Sequence, residues 1–80
     1  MSYNSRSFGI VISRLRTRRK ITQECFSAFA GISRSHLTML ENGRKIVRLD
    51  TFFRIAEALE ITPSELMKLV EEESEKDLKG

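Results

Sequence analysis

The chain has 80 residues, 40% of them hydrophobic and 31% charged, with a formal net charge of +3. That length sets one domain as the upper bound and allows only a modest core, so a partner subunit is a natural source of extra stability. A single cysteine, Cys25, excludes an internal disulfide, and with no Cys or His cluster around it a zinc site is excluded as well.

A lone thiol suits a reducing compartment. The N-terminus carries no signal-peptide pattern, because its basic residues follow the apolar stretch Phe8–Ile12 instead of preceding it. No apolar run reaches the ~18 residues a membrane span requires. The expectation is a soluble cytoplasmic protein without a membrane partner, a metal, a cofactor or a small-molecule substrate. One His, one Cys and no phosphate-cradling glycine loop argue against an enzyme.

The net charge conceals an asymmetry. Residues 1–48 carry ten Lys and Arg against Glu24 and Glu41, whereas residues 49–80 carry four basic and nine acidic residues. The first half is suited to a polyanion and the second is not, although charge alone does not separate that role from a solvated coat.

In chain order, Phe8, Val11, Ile12 and Leu15 form a stripe at helical spacing and predict a first helix over residues 5–19. Arg18, Arg19 and Lys20 sit at its C-terminal end, where cations suit the helix dipole. Thr22 is placed to cap a second helix over 23–30, with Phe26 and Ala30 inward and Gly31 ending it. Ser33 caps a third helix over 34–42, Leu37 and Leu40 face inward, and Gly43 terminates it. A fourth helix over 49–59 shows Leu49, Phe52, Phe53, Ala56 and Leu59 as a broad apolar face. Thr62-Pro63-Ser64-Glu65 reads as a capping box opening a fifth helix, whose apolar side is Leu66, Leu69 and Val70. With no period-two alternation anywhere, the chain is expected to be all-α: a compact five-helix domain over residues 1–70, followed by a charged tail over 71–80 that does not pack.

Two short helices joined around a glycine in a basic domain form a helix-turn-helix pattern. The second helix must be held by an inner face while its outer face enters a major groove. Leu37 and Leu40 supply the inner face, leaving Arg34, Ser35, His36, Thr38 and Met39 outside or flanking. An arginine beside short polar side chains is a reasonable base-reading surface.

The segments TQECFSAFAGISRSHLTMLENGRK and LDTFFRIAEALEITPSEL, with Arg16 ending the first helix's core stretch, resemble the phage-repressor/Cro-type family of helix-turn-helix regulators. The likeness covers about residues 8–70. It implies a lambda-repressor-like fold in which Gln23 binds phosphate, Ser33, Arg34, Ser35, His36, Thr38 and Met39 reach bases, and Asn42, Gly43, Arg44 and Lys45 follow the DNA backbone. It also implies a semi-buried Arg16–Glu41 salt bridge that orients the recognition helix without touching bases.

Several positions depart from the family pattern. Ile46-Val47-Arg48 replaces a common Asn-Pro-Ser, removing the usual cap at Arg48 and leaving that arginine either to reach a phosphate or to stay solvated. Glu60 stands where glycine commonly ends the fourth helix. Met39 meets a thymine methyl or simply packs, and His36 contacts DNA or only flanks the helix. Cys25 and Phe29 occupy positions that are usually polar. Cys25 is expected to be structural and Phe29 partly exposed.

The apolar side of helix five, Leu66, Leu69 and Val70, either closes the core or forms a dimer interface, and the dimer is the reading adopted. The expected function is a transcriptional regulator that binds a pseudo-palindromic operator in double-stranded DNA as a homodimer, with RNA polymerase as a further partner. Small members of the family include restriction–modification controller proteins, phage-type repressors and antitoxins; Arg34-Ser35-His36 and the size resemble the first group. The competing class is a protein-interaction module that keeps the fold without using DNA.

Overall fold

The computed structural model describes the backbone of residues 4–79 and the side chains of residues 4–76. Five helices follow in chain order: α1 (Ser5–Arg18), α2 (Gln23–Ala30), α3 (Arg34–Glu41), α4 (Leu49–Ala58) and α5 (Pro63–Lys79), with no strand among the described residues. Residues 1–3 and 80, which belong to the expected domain and tail, lie outside the described residues.

Capping side chains mark most of the starts. Asn4 Oδ1 accepts from the amides of Arg6 and Ser7 at 2.9 and 3.3 Å. Thr22 Oγ1 accepts from Cys25 N at 3.1 Å, and Ser33 Oγ from His36 N at 3.0 Å. At α5 the box is reciprocal: Thr62 Oγ1 accepts from Glu65 N, and Glu65 Oε1 accepts from Thr62 N. Only α4 begins without a side-chain cap, at Arg48, as the missing Asn-Pro-Ser foretold.

The first four helices end in the same way. Just past each helix an amide bonds back to the carbonyl five residues earlier: Ile21 to Arg16, Ile32 to Ser27, Arg44 to Met39 and Ile61 to Ala56. This Schellman arrangement demands a left-handed residue just before that amide. Gly31 and Gly43 meet the demand without strain, at φ of 71° and 73°. Lys20 and Glu60 meet it at 58° despite their β-carbons, at a cost on the order of 1 kcal/mol each. The Glu60 carboxylate is held there by Arg19, whose Nη1 also donates to the Leu59 carbonyl at 3.1 Å.

The core draws on every helix: Phe8, Val11 and Ile12 from α1, Phe26 and Ala30 from α2, and Leu37 and Leu40 from α3. Phe52, Ile55, Ala56 and Leu59 come from α4, and Leu66 and Val70 from α5. Phe8 and Phe52 stack with ring centroids 5.8 Å apart. The α4 face differs from expectation. Its buried stripe is Phe52, Ile55, Ala56 and Leu59, while Leu49 and Phe53 lie one turn apart on the outside.

The expectation that the chain stops packing at Val70 is corrected. α5 continues to Lys79 and runs against α1, burying Ser74 and placing Glu73 3.1 Å from the Arg14 guanidinium. Glu71, Glu72, Glu75 and Lys76 face solvent on the other side of this packed helix.

α1 also meets the end of α3 very closely. A β-carbon added at Gly9 would lie 2.5 Å from the carbonyl oxygens of both Leu40 and Glu41. Inside a helix, Gly→Ala normally stabilises by ~0.5–1 kcal/mol. Here backbone would have to move, so Gly9→Ala should instead destabilise by ~1–3 kcal/mol, measurable by urea unfolding. Leu66→Ala should cost ~2–5 kcal/mol in the same measurement, because its side chain fills the core of a single chain.

Candidate nucleic-acid interface

α2 and α3 are joined by residues 31–33, a turn that Gly31 makes possible. Leu37 and Leu40 are fully buried, so the inner face of α3 is fixed and the opposite face is left to solvent. Arg34 and Ser35 are exposed at its first turn, Met39 is 42% exposed, and His36 and Thr38 are half-buried at the flanks. Two of these polar groups are already committed: Ser33 Oγ caps the helix, and Thr38 Oγ1 donates to the Arg34 carbonyl at 3.0 Å. Both keep acceptor lone pairs, but Arg34, Ser35 and Met39 are the freest side chains on the surface.

A hydrogen-bonded cluster at the other end of α3 sets its direction. Arg16 Nε and Nη2 reach the two carboxylate oxygens of Glu41 at 2.7 and 3.2 Å, and Arg16 Nη1 donates to the Ile21 carbonyl at 2.7 Å. The two side chains are only 15% and 7% exposed, which strengthens this bidentate pair. Gln23 Nε2 donates to Glu41 Oε1 at 2.9 Å. The side chain expected to meet a phosphate is thus turned into the cluster and keeps one amide hydrogen to offer outward. Nothing local in the sequence pointed to this bond, since Gln23 and Glu41 are 18 positions apart.

Beyond α3, Asn42, Arg44 and Lys45 are exposed along the loop, and Gly43 is half-buried within it. Lys45 lies near enough to His36 to matter: burial first, then this cation, holds the imidazole below its ordinary value of 6.5. Arg48 stands slightly apart, 80% exposed, with its Nε 3.4 Å from Asp50 Oδ1. The loop therefore borders the α3 surface with cations, while Arg48 is partly engaged by its own helix.

The residues expected to pair two copies are placed differently. Leu66 and Val70 are 0% and 2% exposed inside the core, and Leu69 is half-buried against it, so that face of α5 is spent within one chain. The apolar surface left over is elsewhere: Ile46, Leu49, Phe53 and Met67 are each exposed by 46% or more. Leu49 and Phe53 follow an i, i+4 line offset from the buried stripe of α4, a signal present in the spacing once Ile55 is assigned to the core.

Residues 12–66 match the helix-turn-helix family. The chain belongs to this family of DNA-binding transcriptional regulators. It is 34% identical over 64 residues to an uncharacterized HTH-type transcriptional regulator, y4dJ, of Sinorhizobium fredii, covering 80% of this chain and 83% of that protein. Among solved structures it is similar to the restriction–modification controller protein C.AhdI from Aeromonas hydrophila, at 32% identity and a TM-score of 0.76, over 81% of this chain and 98% of the other. The fold is also shared, at 18% identity and a TM-score of 0.79, with C.Esp1396I, solved as a tetramer with its natural 35-base-pair operator, over 91% and 96% of the two chains.

Two outcomes follow from this geometry. Glu41→Gln should destabilise the fold by about 3 kcal/mol, because it leaves the Arg16 charge buried without its counterion; calorimetry checks it. For His36, a folded pKa below the unfolded one means that the unfolded state binds the proton more readily. Stability is then fully present above pH ~6.5 and falls as pH drops through the folded pKa. Thermal melts across that window should show the decline, and His36→Gln should remove its share.

Proposed function

We propose that the chain is a sequence-specific regulator that binds a pseudo-palindromic operator as a homodimer, in the manner of a restriction–modification controller protein. The observation that carries this reading is the anchored α3. Its inner leucines and terminal carboxylate are locked, while Arg34 and Ser35 project freely from the first turn. In a major groove, Arg34 pairs bidentately with a guanine, Ser35 and His36 reach neighbouring edges, and Met39 meets a thymine methyl. Ser33 and Thr38 contribute through their remaining lone pairs. Gln23, Asn42, the Gly43 amide, Arg44 and Lys45 take the phosphates, with Arg48 at the margin after release from Asp50. The likeness to C.AhdI supports the controller role, and the operator-bound tetramer of C.Esp1396I supports duplex DNA as the partner.

The dimer surface we assign is the exposed apolar strip of Ile46, Leu49, Phe53 and Met67, beside a shallow depression that also involves Val47 and Phe52. A two-fold contact lets one strip cover itself, and paired recognition helices then meet paired half-sites.

One observation favours a second reading, a contact with another protein such as RNA polymerase. Phe29 is 74% exposed beside a cleft of about 460 Å³ shared with Cys25, Ile21 and Glu57. Cys25, expected to be structural, is itself exposed there.

Selection of sites from a random duplex pool should return a pseudo-palindrome. On that site Arg34→Ala should weaken binding by ~1–3 kcal/mol and relax preference at one base pair. An equal loss on random DNA would make Arg34 a backbone contact instead. Leu49→Glu should convert the dimer to monomer in sedimentation while leaving the fold intact. A wild-type chain that stays monomeric at high micromolar concentration, with or without DNA, would rule the dimer out.

A further inference from the structure

The first turn of α1 and the loop after α3 lie against each other. A β-carbon added at Gly43 would be 2.8 Å from Arg6 Cα and 3.3 Å from Arg6 Cβ, so only a glycine allows this approach. The contact brings Arg6 against the loop that carries Arg44 and Lys45, although it is nearly 40 positions away in the chain. All three side chains are exposed, and none has an acidic partner among the described residues. The first turn of α1 contains no acidic residue, and Asn4 caps it through the Arg6 and Ser7 amides. The Glu41 carboxylate, at the end of α3, is already engaged by Arg16 and Gln23.

From these contacts we infer that Arg6 is a further phosphate-binding residue of the DNA interface, extending the run of Arg44 and Lys45 by one position along the backbone. The inference rests on the DNA-binding reading of α3 and its loop. Lys45 is near His36 on the flank of α3, and Gly43 touches Arg6, so one continuous cationic surface leads from the recognition helix to the start of α1. Phosphates recur every ~3.4 Å of helix axis on each strand, so a loop that holds one phosphate leaves the next within reach of a neighbouring long cation. An arginine held against a loop that carries two further cations, Arg44 and Lys45, is also self-repelling, and a polyanion relieves that repulsion.

The test is the salt dependence of binding by the full chain to a labelled random-sequence duplex, measured by fluorescence anisotropy from roughly 50 to 200 mM salt. Arg6→Gln should make the log–log slope shallower by about 0.9, the signature of one lost phosphate contact. Arg6→Lys should keep the wild-type slope, and Arg44→Gln should reduce it as a positive control. Thermal melts matching the wild type guard against unfolding as the cause. A wild-type slope in Arg6→Gln overturns the inference while the DNA reading stands. A slope as shallow in Arg6→Lys as in Arg6→Gln also overturns it, since the charge would then not be the cause. If the wild-type chain binds no duplex, both the reading and the inference fall.

Discussion

The Glu41 carboxylate is the costliest group in this fold, and most of the interface depends on how it is satisfied. It is nearly buried and lies on the last residue of α3, where a negative charge opposes the helix dipole. Arg16 answers both problems with one guanidinium: two donors go to the carboxylate and a third to the Ile21 carbonyl just past the end of α1. Gln23 completes the set from the first position of α2. Three helix ends are thereby fastened at one point. Desolvation offsets much of the attraction, so the cluster contributes more to geometry than to net stability. With the Gly31 turn holding the other end, the α2–α3 unit is fixed at two separated points, which is what aiming a short helix requires.

Much of this was legible in the chain because the local signals were chemical. Thr22, Ser33 and Thr62 announce helix starts through side-chain oxygens, and Gly31 and Gly43 announce left-handed stops. Lys20 occupies the same backbone conformation without any compositional sign, and Glu60 does so at a place where the family pattern commonly has glycine. Their cost is covered by what surrounds them: Ile21 and Ile61, the residues that follow, tuck against the core and hold the turns closed. A non-glycine residue is tolerated at such a position when the next side chain has somewhere apolar to go.

The misreadings arose where one kind of residue can serve two surfaces. The apolar positions of α4 span more than one face, and Ile55 is what decides which of them is buried. Leu66 and Val70 look the same in sequence whether they close a core or meet a partner; the long contact of α5 with α1 settles it, because it requires both inside. The EEESEKDLKG run carries enough charge to suggest a loose tail. Yet Val70, Glu73 and Ser74 share one helical side, where a small Ser74 allows close approach and Glu73 finds Arg14. Composition averages over the faces of a helix, and packing does not.

The size of α3 links these features to the proposed dimer. Eight residues span ~12 Å, which presents only three or four side chains to a groove. With each mismatched pair worth ~1–3 kcal/mol, one such helix discriminates over very few bases. Rigid aiming makes those few contacts count, and cations on the flanking loop add affinity without adding sequence information. In the proposed homodimer, further specificity comes from a second copy reading a second half-site at fixed spacing. The strip of Ile46, Leu49, Phe53 and Met67 begins in the same α3–α4 connection that carries the exposed cations Arg44 and Lys45. A partner docked there is thereby tied in space to the recognition helix, so the separation of two α3 helices is set by rigid structure and not by a linker.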